Sequence, residues 1–300
     1  MDDLNSARFA TALSFLTSTC QQPVLRYLAA LEARNYAPGT LRAVVGALRW
    51  LTGRLPDTRQ AALVADLTQT TSQDISDFVG AAQKAGLAAS TINTQLSILT
   101  EFFEFLREEG LMTQQPVLRW RHRLPAPIIL PKPMTETDLA AFFKVVDSVR
   151  DRVLFLLMLR CGLRVSEACA LTWDDIDFND GTARVNNGKG QVDRVVYLSP
   201  DAEQALQTWR AHRQTGKYLF PGRSRKGAPL RRAQVNRLMN GYLKAANLTR
   251  HSSPHCLRHT FATQLLNAGV PLEVLKELMG HRSIHVTLRY TQLYDTVKRQ

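Results

Sequence analysis

Through roughly the first 125 residues, apolar positions recur every three to four places and short polar turns interrupt them, which predicts a run of amphipathic helices. Pro23 opens one segment, VLRYLAALEARN, with Leu25, Leu28 and Leu31 on one face. Pro38-Gly39 breaks it, and Thr40 is placed to cap the next helix, LRAVVGALRWL. Thr71 or Ser72 caps a third around Ile75, Phe78 and Val79, which Gly86 ends. Ser90 caps the clearest of the four, TINTQLSILTEFFEFLREEG, with the stripe Ile92, Leu96, Leu99, Phe103 and Leu106 and Gly110 at its end. Residues 20–122 are expected to be a small helical domain.

The pattern then stops. Between Gln114 and Pro133 stand Pro116, Pro125, Pro127, Pro131 and Pro133. No acid falls between Glu109 and Glu136, while Arg119, Arg121, Arg123 and Lys132 do. Such a stretch is a semi-extended linker, placed at 123–134, and its arginines are candidate phosphate contacts. Periodicity resumes at Thr135–Asp138 (TETD), a helix start, and continues through DRVLFLLMLRCG to Gly162. After Trp173 the period changes. Asp175–Phe178, Thr182–Val185 and Arg194–Leu198 suit three short strands, with turns at Asn179-Asp180-Gly181 and Asn187-Gly188-Lys189-Gly190. Helices return from Pro200. The expected fold is mainly α with a small antiparallel β-sheet in a second domain, 135–300.

Charge changes the picture from fold to partner. The formal net charge is +12, and 204–272 holds no Asp or Glu but twelve Lys and Arg, among them Arg231, Arg232 and Arg237. Ordinary surfaces mix both signs; a segment of one sign fits a phosphate backbone, so duplex DNA is the expected partner and these arginines its contacts. No apolar run approaches the ~18 residues of a membrane span, and the N-terminus lacks a basic segment followed by an apolar core. Cys20, Cys161, Cys169 and Cys256 form no CxxC pair, as suits reduced thiols in a cytoplasmic protein.

The last third gathers groups able to handle phosphate. His255 and Arg258 lie three apart in HCLRHTFATQLL, with Pro254 at a helix start. His281 follows Gly280, a helix end, and Tyr290 lies nine residues on in SIHVTLRYTQLY. Upstream, Arg164 stands between two apolar helices in CGLRVSEACAL, where a charge is costly unless paired or bound to an anion. Lys189 occupies a Gly-Lys-Gly hairpin tip.

GLRVSEA at 162–168, NGKGQVDRVVYL at 187–198, HCLRHTFAT at 255–263 and GHRSIHVTLRY at 280–290 resemble, in order and spacing, the motifs of the tyrosine recombinases of the lambda-integrase superfamily, in their short Xer-like or mobile-element form. The resemblance implies a SAM-like DNA-binding domain followed by a catalytic domain, closing on DNA as a C-shaped clamp. It implies a site of Arg164, Lys189, His255, Arg258 and His281 around the nucleophile Tyr290. Two guanidinium groups would stabilise charge on the non-bridging phosphate oxygens. His255 would accept the tyrosine proton, and Lys189 would supply one to the leaving 5′-oxygen. His281 would hydrogen-bond the phosphate. The product, a 3′-phosphotyrosine, needs no ATP, cofactor or metal. A homo-tetramer on DNA, two dimers in synapsis, is the implied assembly, with a related recombinase as an alternative partner.

Other readings of the same residues stand beside this one. His255/His259 and His281/His285 have a spacing that suits zinc, but no HExxH accompanies them. Asp174, Asp175 and Asp177 could suggest a magnesium nuclease, though a tight turn accounts for them. A non-catalytic DNA-binding protein would need none of Tyr290, Lys189 or His281. Tyr294 is the rival nucleophile, and Glu167 is expected either to orient a neighbouring basic group or to face solvent. Ten residues follow Tyr290, short for a segment that docks on a neighbouring subunit. The residues before about 20 leave no room for an accessory-site domain.

Overall fold

The computed structural model describes residues 9, 11–127, 132–186, 193–212, 216–222, 227–248, 253–280, 283–284 and 286–288. The chain divides into two compact units, Met1–Ile128 and Ile129–Gln300.

The first unit is helical: α1 (Ser18–Ala33), α2 (Pro38–Thr52), α3 (Asp57–Ala65), α4 (Ser72–Lys84), α5 (Ala89–Glu108) and the single turn α6 (Arg119–His122). Its core interleaves the apolar faces, and all five residues of the α5 stripe, Ile92 to Leu106, are buried. Several helix starts differ from expectation. α1 begins five residues before Pro23 because the Thr17 hydroxyl accepts from Cys20 N and Cys20 itself is buried, so the proline sits inside the helix. Pro38 opens α2 rather than breaking the chain there; with no N–H to satisfy, it suits a first helical position, and Thr40 is not the cap. α5 likewise starts at Ala89, one residue before Ser90, without a side-chain cap. Thr71 caps α4, with Asp74 closing the reciprocal pair. Helix α3 escaped the pattern because only Leu63 of it is buried.

Within the proline-rich stretch, residues 118–124 pack on the first unit. α6 is helical, and buried His122 fixes it: Nδ1 accepts from Leu118 N (2.9 Å), and Nε2 lies 3.1 Å from Ser72 O and 3.2 Å from Ser76 Oγ. Burial, with the neighbouring Arg121 charge, lowers the His122 pKa. Asn93 pairs with Leu124 through both amide atoms, at 2.7 and 2.9 Å.

The second unit contains α7 (Glu136–Val145), α8 (Val149–Arg160), α9 (Val165–Ala170), β1 (Ile176–Asp177), β2 (Thr182–Val185), β3 (Arg194–Tyr197), α10 (Pro200–Ala211), α11 (Arg232–Ala245), α12 (His255–Asn267) and α13 (Leu272–Met279). Thr135 and Asp138 cap α7 reciprocally, as TETD predicts. The strands form one antiparallel sheet in the order β1-β2-β3, with Ala183 opposite Val196 and Val185 opposite Arg194. Apolar α8 is the centre of the core, buried at every position from Val153 to Leu159. Asp175 accepts from Thr172 and Asn186, and Asp177 from Asn179 N and Asp180 N, so both acids build turns. All four cysteines are buried and unpaired, and burial pushes the Cys161 and Cys256 thiols up to about 12. Among the described residues no helix is long and apolar enough to cross a membrane, and no group of three His, Cys, Asp or Glu side chains comes together.

Candidate active site

Helix α8 ends at Gly162, whose φ of +61° lies in the left-handed region. A Cβ there would also fall 2.4 Å from the Phe261 ring, so only glycine serves. The turn it makes delivers Arg164 to the start of α9. One turn into α9, Glu167 is buried, its side chain 5% exposed. Its carboxylate is the centre of the site. Oε2 accepts from Arg164 N (2.8 Å) and Arg194 Nη2 (2.9 Å); Oε1 accepts from Arg164 Nη1 (2.5 Å) and Arg194 Nη1 (3.2 Å). Arg258 Nη1 lies 3.7 Å from Oε2. Burial by itself would raise the Glu167 pKa; the hydrogen bonds and charge of Arg194, then those of Arg164, hold it down to about 2.

The same three guanidinium groups meet a second feature. α13 ends in Gly280, at φ +59°, and its last carbonyls lack helical partners. Arg194 Nε donates to Leu278 O (2.8 Å), Arg258 Nη2 to Met279 O (2.6 Å) and Arg164 Nη2 to Gly280 O (2.8 Å). Three arginines thus serve three successive carbonyls at the negative end of a helix, where cations are favoured. Arg258 also donates to Gly162 O. A Cβ on Gly280 would lie 2.9 Å from Arg194 Nη1. Against one carboxylate, three cations leave a formal excess of two positive charges. Arg258 and Arg194 side chains are 5% and 8% exposed, whereas Arg164 keeps 26%, so Arg164 offers the most open face to a phosphate.

His255 opens α12 one turn before Arg258 and is exposed. Partial dehydration by the surrounding chain, then the Arg258, Arg232 and Arg164 charges, lowers its pKa, a shift that favours the neutral imidazole. Its ring centroid is 6.4 Å from that of His259. Lys189, His281 and Tyr290 lie outside the described residues. The structure therefore brings Arg164, His255 and Arg258 of the expected set together. Arg231, Arg232 and Arg237 are exposed at and along α11, and Arg119, Arg121 and Arg123 are exposed around α6. Two residues were missed or half-read from the sequence: Arg194, taken only as part of a strand, and Glu167, which does orient its neighbours.

Glu167→Gln keeps the shape and removes the charge that the buried arginines share. Breaking a buried charge pair in this way is expected to cost about 3–5 kcal/mol of stability, measurable by urea unfolding. The sign with pH is definite. The folded pKa (about 2) lies below the ordinary 4.5, so Glu167 contributes its full stability above that ordinary value and loses it as pH falls towards 2. The Glu167→Gln chain should therefore be less sensitive to acid in that window than the parent; coincident acid-unfolding curves would contradict the assignment.

The fold matches integrases solved on DNA. A lambda integrase fragment, in a dimer bound to a COC′ core site, superposes with a TM-score of 0.72 at 21% identity, covering 90% of this chain and 94% of that one. The Tn1549 transposon integrase, in complex with transposon right end DNA, gives 0.69 at 21% identity, over 89% and 94%. The phage integrase family model matches residues 132–296, and that of the phage integrase N-terminal SAM-like domain matches residues 24–110. Tyrosine recombinase XerC of Bacillus subtilis (strain 168) is 32% identical over 235 residues, 74% of this chain and 76% of its own length. Tyrosine recombinase XerD of Ralstonia nicotianae is 32% identical over 273 residues, 87% of this chain and 84% of its own. The chain belongs to the phage integrase family, and within it to the tyrosine recombinases.

Proposed function

We propose that this chain is a site-specific recombinase that cleaves and rejoins duplex DNA through a 3′-phosphotyrosine at Tyr290, in integration, excision or resolution. The observation that carries the reading is the set of three guanidinium groups fixed by Glu167 and the end of α13, with His255 one helical turn from Arg258. A phosphodiester repels nucleophiles, and prearranged cations stabilise the charge of its pentacoordinate transition state without reorganising. The tyrosine oxygen attacks phosphorus and its proton passes to His255. The bond to the 5′-oxygen breaks, and that oxygen takes a proton from Lys189. His281 holds the phosphate. The bond energy stays in the phosphotyrosine, and a new 5′-hydroxyl reverses the steps, so neither ATP nor a cofactor enters. A purely DNA-binding role would leave this chemistry unused.

In this reading residues 20–122 and 135–300, joined by 123–134, both bind the DNA, with the basic 204–272 stretch and Arg119, Arg121 and Arg123 against phosphates. The assembly is a homo-tetramer of two dimers in synapsis, acting in the cytoplasm, and chromosomal or mobile-element sites are both compatible with it. The test is to recover DNA fragments bound by the purified protein, incubate them with it, and look for an SDS-resistant adduct whose tryptic peptide carries phosphotyrosine. Its absence on every bound fragment would overturn the reading. Binding should also weaken steeply with salt. Six or more phosphate contacts predict a loss of about 10³-fold or more between 50 and 200 mM; a flat response, by filter binding, would contradict a backbone-dominated interface.

A further inference from the structure

Trp120 is the most exposed large apolar side chain described, at 86%. A tryptophan that hides so little of its 150–250 Å² contributes almost nothing to the folded chain by itself. Nor does it sit on a loose loop. Its turn, α6, is bolted down on both sides: His122 is buried against Ser72 and Ser76 of α4, Leu124 is paired with Asn93 of α5, and buried Val117 precedes it. Arg121 is braced by Gln73 Oε1 at 3.2 Å. The first unit thus holds an indole out on a rigid platform.

The surroundings say what could cover it. Arg119, Arg121 and Arg123 are all exposed, and no acid occurs between Glu109 and Glu136. An apolar plate with exposed cations beside it in sequence suits a partner whose surface alternates anionic and apolar groups. A nucleic acid is such a surface, with phosphates beside the faces of sugars and bases. We propose that Trp120 is a DNA-contacting anchor: its indole packs on the deoxyriboses of the duplex backbone while Arg119 and Arg123 hold the flanking phosphates. This deepens the recombinase reading and rests on it. The contact is sequence-tolerant, because every nucleotide of the duplex offers the same sugar face.

Trp120→Ala and Trp120→Phe separate the possibilities, with equilibrium binding to a recovered site and to unrelated duplex at several salt concentrations. Trp120→Ala should bind both roughly ten-fold or more weakly, the usual cost of truncating a tryptophan anchor. Its salt slope should be unchanged, because no phosphate contact is lost; Trp120→Phe should recover part of the affinity, and Arg119→Ala should instead flatten the slope. The difference in fluorescence between the parent and Trp120→Ala should be that of a water-exposed indole, shifting to shorter wavelength when duplex is added. Binding by Trp120→Ala equal to that of the parent would overturn the proposal. So would lowered thermal stability, altered self-association or an already blue-shifted Trp120 emission without DNA, since each would mean that protein covers the indole. A parent protein that binds no duplex at all would instead bring down the recombinase reading itself.

Discussion

Tyr290→Phe should bind duplex DNA as the parent does and yield no covalent adduct. The substitution removes one oxygen and leaves the ring, so the cationic surface that determines affinity is untouched. The chemistry disappears because a phenyl ring has no lone pair to give to phosphorus, and the other groups of the site can only stabilise an attack that no longer occurs. The effect expected is complete loss on a gel that resolves protein–DNA adducts. Tyr294→Phe is the control. If the adduct survives in Tyr290→Phe and vanishes in Tyr294→Phe, the nucleophile has been placed four residues too early.

Lys189→Ala should slow cleavage by about 10²–10⁴-fold, the usual worth of general-acid help, with binding nearly intact. The decisive feature is how the defect depends on the leaving group. A substrate with sulfur at the bridging 5′ position expels a thiolate, a far weaker base that needs no proton, so Lys189→Ala should approach the parent rate on it. Arg164→Ala should not recover, because the charge it would meet lies on the non-bridging oxygens, which the sulfur does not change. Equal defects of Lys189→Ala on oxygen and sulfur substrates would leave the lysine a positioning role and move the search for the acid to His281.

Much of the fold was written in periodicity that survives without tertiary information. The α5 stripe and the TETD start are local patterns, and local patterns decide local structure. The shift from a period near 3.6 to one of 2 after Trp173 located the sheet. The helix starts at Ser18, Pro38 and Ala89 were less legible: the Thr17 hydroxyl sets the first ahead of Pro23, proline stereochemistry sets the second in place of a Thr40 cap, and the third forms without the Ser90 cap. In the site, Arg164 could be singled out because a charge between two apolar helices demands a partner, but nothing local names that partner. Glu167 was left between two roles for the same reason. Arg194 was hidden by an inverted strand: it shares the inward face with buried Val196, while Val195 and Tyr197 point out, 53% and 73% exposed. An inward arginine beside an inward valine was the available signal, and it becomes readable only once one knows which side of the sheet is wet.

The last turn of α13 ties together stretches of chain that are remote in sequence. Its carbonyls take hydrogen bonds from arginines 116, 84 and 21 positions upstream. Contacts of such span close late, because the loops between them must be ordered first. A nascent chain that has emerged only as far as α12 can hold folded helices from both units and still lack the acceptors that gather its guanidinium groups. During synthesis, therefore, affinity for DNA can precede the ability to cut it, since the arginine cluster comes together only when the end of α13 has left the ribosome and docked.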